Sequence, residues 1–178
     1  MKLLGKILAG AAILGAGIST SAFAQATDTE ATDSSVTILQ GIALTKVTDL
    51  SFGRIVRPSS GSSTITMALG SDTPTVDTGD AVVLASGTKN RASYTATGEG
   101  GQAFTITVPA TVSMTGPGTA IVVSLTKSLA SGNFTGSLGS AGALPGGGTL
   151  YVGGSFSLPT GQASGAYTGS FDTTIAYN

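Results

Sequence analysis

Alternation of apolar and polar residues with a period of two recurs along nearly the whole chain, and it constrains the fold more than any other feature. Val36, Ile38, Ile42 and Leu44 share one parity. Ile65, Met67 and Leu69 alternate with Thr64, Thr66 and Ala68, and Phe104, Ile106 and Val108 alternate with Thr105 and Thr107. Ile121, Val123 and Leu125 follow the same rule, as do Leu150, Val152, Phe156 and Leu158, and the chain closes on Phe171, Thr173, Ile175 and Tyr177. Successive side chains of a strand point to opposite faces, so this pattern puts one face in a core and the other in water. Thr is the usual outward partner because its branched β-carbon suits an exposed pleat.

Breakers separate these runs: Pro58 to Gly61, Asp72 to Asp80, Gly98-Glu99-Gly100-Gly101, Gly116-Pro117-Gly118 and the segment 139–148, which reads as a long mobile loop or a linker. Roughly nine or ten short strands at such spacing predict an all-β chain, an antiparallel β-sandwich of immunoglobulin-like or pilin-like form. No sustained helical stripe occurs after the first two dozen residues.

Those first residues follow a different grammar. Lys2 and Lys6 precede an apolar stretch from Ile7 to Ile18, and Ala22 and Ala24 stand where an A-x-A cleavage site requires small side chains. The apolar stretch is too short, and too interrupted by Gly10, Gly15 and Gly17, for a spanning helix of about 20 residues. The expected organisation is a cleaved signal peptide over 1–24, a flexible polar arm over 25–35 and a single β-sandwich domain over 36–178. The protein is therefore expected outside the cytoplasm, in the periplasm, at the cell surface or secreted, with no membrane insertion after cleavage.

Composition narrows the chemistry. Neither Cys nor His occurs among the 178 residues, so neither a Ser-His-acid triad nor the usual transition-metal ligand sets can be built. Of the 27 glycines, four precede Gln25, and the rest mark a chain rich in turns. Past the signal, six Lys and Arg face nine Asp and Glu, which offers nothing basic to hold nucleic acid.

Asp77-Thr78-Gly79 copies the tripeptide of aspartic proteases, but no second such loop supplies the partner carboxylate. Asp72, Asp77 and Asp80 fit no calcium-loop spacing and read as solvated turn residues. Asn133-Phe134-Thr135 matches a glycosylation acceptor by form only. The expectation is a non-enzyme with no cofactor and no metal.

Two stretches carry a resemblance. Ile42 to Arg54, with Leu50-Ser51-Phe52-Gly53 at its heart, and Leu150 to Gln162, with Val152-Gly153-Gly154, followed by Gly165 to Gly169, resemble the secreted bacterial family catalogued as domain of unknown function 4402. That resemblance implies a fold and an exported setting rather than a reaction. The C-terminal strand is also similar to that of chaperone–usher pilus subunits: Tyr177 is penultimate, Gly165 is fourteenth from the end, and Phe171, Thr173 and Ile175 alternate between them.

This similarity implies a fimbrial-like structural or adhesive surface protein of the pilus and cell-adhesion kind. Its partners would be a periplasmic chaperone, an usher and further copies in a homo-polymer, all engaged by β-strand addition. Two features depart from pilins. The arm 25–35 lacks alternating apolar residues, leaving either Val36 to Leu44 as donor or no self-assembly by this route, and there is no disulfide. The rival expectation is a self-contained secreted binding module, for instance for glycans, with Tyr94 and Tyr151 as its aromatics.

Overall fold

The computed structural model describes residues 27–178. The proposed signal peptide and the start of the arm lie outside the described residues. Two units divide at Val36/Thr37. Residues 27–36 carry no strand, and the β structure belongs to 37–178.

Fifteen strands occur among the described residues, and no helix. The first eight are β1 (Ala43–Thr48), β2 (Ser51–Phe52), β3 (Ile55–Val56), β4 (Ser62–Met67), β5 (Thr75–Thr78), β6 (Val82–Val83), β7 (Lys89–Asn90) and β8 (Ala92–Glu99). The rest are β9 (Ala103–Thr107), β10 (Thr111–Met114), β11 (Ile121–Lys127), β12 (Ser131–Asn133), β13 (Ala141–Ala143), β14 (Thr149–Pro159) and β15 (Thr174–Tyr177). Every pairing is antiparallel. An eight-stranded sheet runs β1-β8-β14-β11-β10, with β4, β5 and β13 attached to it, and a three-stranded sheet runs β12-β9-β15. The pairs β2-β7 and β3-β6 stand apart as short ribbons.

β14 is the spine of the large sheet. On one flank Thr149–Val152 pair with β8 and Gly154–Pro159 pair with β4, while Val152–Ser155 pair with β11 on the other. The Gly153-Gly154 pair sits where β8 gives way to β4. A Cβ on Gly153 would overlap the Met67 carbonyl oxygen, and one on Gly154 would lie 2.6 Å from the Ser124 carbonyl oxygen. Neighbouring backbones approach so closely there that only glycine fits.

Two cores result. In the first, Tyr94, Ala96, Leu150 and Val152 of the large sheet meet Phe104 and Ile106 of the small sheet, with Phe134 and Leu144 added from connections. This is the two-layer arrangement in which each sheet buries one face against the other. In the second, Ile65, Met67, Ile121, Val123, Phe156 and Leu158 pack with Phe52 and Ala81. Phe52 meets Phe156 edge to face, with centroids 4.9 Å apart. Leu50 and Leu125 touch both cores.

Three sequence readings need correction. The parity group Val36, Ile38, Ile42 and Leu44 is not one strand: pairing begins at Ala43, and Ile38 is 86% exposed. In that register Gly98 and Glu99 still stand opposite Ile42 and Gly41, but the Glu99 N–H donates to the Tyr177 hydroxyl instead of to the incoming chain, and β8 ends there.

The segment 139–148 is not a linker, since β13 pairs with β8 and Leu144 is buried in the first core. β8 itself escaped the alternation reading. Flanked by β1 on one side and by β14 and β13 on the other, it alternates with small residues, burying Ala92, Tyr94 and Ala96.

Candidate interaction edge

A sheet stops where its last strand has no neighbour, and two such edges meet at one side of the first core. β1 ends the large sheet and β15 ends the small one, and the two lie next to each other without pairing. Side chains from both edges, Ile42 and Leu44 on one side and Phe171, Ile175 and Tyr177 on the other, pack against the first core yet stay partly exposed.

In β15, Thr174 and Ala176 turn their backbone groups toward β9. Ile175 faces Ile106, whose N–H donates instead to Ala130 on the opposite flank, so Ile175 lies at a non-hydrogen-bonded position of the β9 ladder. The backbone N–H and C=O of Ile175 and Tyr177 therefore point to the open edge. Thr173 continues the inward parity, and its hydroxyl is buried without a hydrogen-bond partner among the described residues.

Tyr177 closes one end of this margin. Its hydroxyl accepts from the Glu99 N–H at 2.6 Å and donates to the Gln40 carbonyl oxygen at 2.7 Å. Its ring stands edge-on to Phe134 at 6.0 Å. The Glu99 carboxylate, in a residue only 4% exposed, accepts the Gln40 N–H at 2.9 Å and the Gly139 N–H. Both backbone groups of Gln40 are thus held by two side chains, at the point where β8 has run out of backbone to offer. Gly98 makes room: a Cβ there would lie 2.5 Å from the Phe134 ring and 2.7 Å from the Tyr177 hydroxyl.

The amide of Gln40, and next that of Gly139, donate to the ionised form of Glu99 and hold its pKa below the ordinary value of 4.5, against burial, which pushes it up. A folded-state pKa below the unfolded one gives stabilisation that is fully present above about 4.5 and is lost as pH falls through the depressed value. The melting temperature of the wild type is expected to fall as pH drops below 4.5, and Glu99→Gln should flatten that decline. Thermal melts of both proteins across that range check it. Identical slopes would show that Glu99 is not ionised in these bonds.

The remaining predicted positions lie elsewhere. Gly165 lies in the connection between β14 and β15, with φ of +149° and Pro117 2.5 Å from where a Cβ would be, and β15 begins only at Thr174, so the stretch from Gly165 to Tyr177 is not one strand. It lines a cleft of about 790 Å³ beside the second core, together with Leu50, Phe52 and Gly53. Gly53 takes a positive φ of 75° directly after β2. Val152 is buried in the first core, and Gly153 and Gly154 form the handover in β14.

Asp72, Asp77 and Asp80 go to separate partners. Asp72 lies 3.2 Å from Arg91 Nε. Asp77 accepts from the hydroxyls of Thr66 at 2.6 Å and Thr75 at 2.9 Å, which lower its pKa. Asp80 accepts from the Ser59 hydroxyl, which lowers its own. Tyr94 is buried in β8, and Tyr151 lies under the Arg91 guanidinium, 3.7 Å from its centroid, so neither ring is an open platform. Glu99 went unnoticed among breaker residues; an acidic residue flanked by Gly98 and Gly100 was the only signal in the sequence.

Fold and edge together define an all-β, antiparallel two-sheet protein with an open strand margin. The chain belongs to the family described as Domain of unknown function (DUF4402), whose model matches residues 42–177. No curated protein and no solved structure matches it.

Proposed function

We propose that this chain is an exported structural or adhesive surface subunit, fimbrial-like, that engages its partners by β-strand addition along the margin between β1 and β15. The observation that carries the reading is that two edges without a paired strand among the described residues flank the same half-covered side of the first core. An added strand gains backbone hydrogen bonds from an open edge and pockets for alternate side chains, and it covers apolar surface that water otherwise touches. Export rests on the signal-peptide pattern of residues 1–24. The natural partners are further copies of the chain and, during export, a periplasmic chaperone and usher.

The test uses an outward-facing change that spares the core. Ala176 is exposed on β15, and a lysine there discourages edge pairing. Sedimentation of the mature chain over rising concentration is expected to show association, and Ala176→Lys should shift its onset about tenfold upward, which corresponds to about 1.4 kcal/mol. A wild-type chain that stays monomeric throughout would overturn the reading.

A further inference from the structure

We propose that Tyr177 and Glu99 form a clasp on Gln40 that keeps one end of the β1/β15 margin shut, so that strand addition there proceeds only when the clasp opens. The inference rests on the strand-addition reading and adds its regulation. A strand needs a slot of about 4.8 Å beside each edge that it joins. The Tyr177 phenol crosses from β15 to the Gln40 carbonyl, just ahead of β1, and so bridges the two edges where that slot would have to pass.

The bridge is built rather than incidental. Four hydrogen bonds converge on it: Glu99 N–H to the Tyr177 hydroxyl, that hydroxyl to Gln40, and the Gln40 and Gly139 amides to the Glu99 carboxylate. Phe134 holds the ring from one side, and the absence of a side chain at Gly98 leaves the hydroxyl its place. Segment 37–42 has no strand pairing, so these side chains are what tie Gln40 to the domain. An open edge is an aggregation hazard, and natural sheets cover or blunt such edges. A clasp made of a few hydrogen bonds covers the end of this one reversibly.

Tyr177→Phe removes only the hydroxyl, and Glu99→Gln weakens the other jaw without touching Tyr177. In hydrogen–deuterium exchange of the mature chain, the Glu99 and Gln40 amides should exchange about tenfold faster in Tyr177→Phe, the factor expected for losing two ordinary hydrogen bonds. Association followed by light scattering should speed up several-fold in both variants. Unchanged exchange in Tyr177→Phe would overturn the clasp itself. Faster exchange with wild-type association rates would overturn its gating role and leave strand addition standing. Faster exchange with no association in any protein would reject strand addition and the gating with it. Slower association in both variants would overturn the inference too, since it would make Tyr177 a docking contact rather than a barrier.

Discussion

Replacing Phe134 by alanine is expected to cost about 3–5 kcal/mol, the range for emptying the site of a buried aromatic ring. Phe134 is 2% exposed, its ring centroid lies 4.6 Å from that of Phe104, and it backs Tyr177 from the other side. Its backbone is fixed as well, donating to Gln102 at 2.9 Å and accepting from Gly101 at 2.9 Å, so the connection cannot easily close the cavity. Against a total of roughly 5–15 kcal/mol for a typical domain, such a loss removes much of the stability. Thermal unfolding followed by circular dichroism should show a melting temperature lower by roughly 10–20 °C. A loss below about 1 kcal/mol would mean that this ring does not close the first core.

The second large effect concerns backbone rather than a side chain. Gly153→Ala places a methyl group on the Met67 carbonyl oxygen, at the junction where β14 exchanges β8 for β4. Neither partner can retreat without opening the ladder from Gly154 to Pro159, so the cost should reach the upper end for overpacking, about 3 kcal/mol or more. Gly161→Ala is the control, because nothing lies within 4 Å of a Cβ there, and its effect should stay within about 0.5 kcal/mol. Urea denaturation of the two variants separates them. Equal midpoints would show that β14 has room at the handover.

Both residues show which parts of this molecule were legible in advance. Gly153 stood inside a family-like motif, but its reason is the carbonyl of a residue far away in the chain. Phe134 read as part of a glycosylation acceptor and proved to be a core residue, because nothing local to Asn133-Phe134-Thr135 says that Phe104 waits across the sandwich. The strands with large apolar residues at alternate positions, β4, β9, β11 and β14, were readable because period two is a local property of extended backbone. β8 was not readable in this way. Apart from Tyr94 this strand holds Ala, Ser, Thr, Gly and Glu, so its burial comes from its neighbours rather than from its own hydropathy.

The C-terminal strand divides in the same manner. Its inward parity, Phe171, Thr173, Ile175 and Tyr177, follows from local alternation, and all four positions are half-buried. That the chain is all-β and antiparallel also follows from local causes, namely period two, frequent glycine and turn residues between short runs. Edges, by contrast, are a property of the assembled sheets. That β15 pairs with β9 alone, that β1 ends the other sheet beside it, and that the Tyr177 hydroxyl reaches Glu99 and Gln40 across 78 and 137 residues of sequence depend on which strands become neighbours. Long-range pairing is chosen by the joint packing of many segments, so no single segment carries the information.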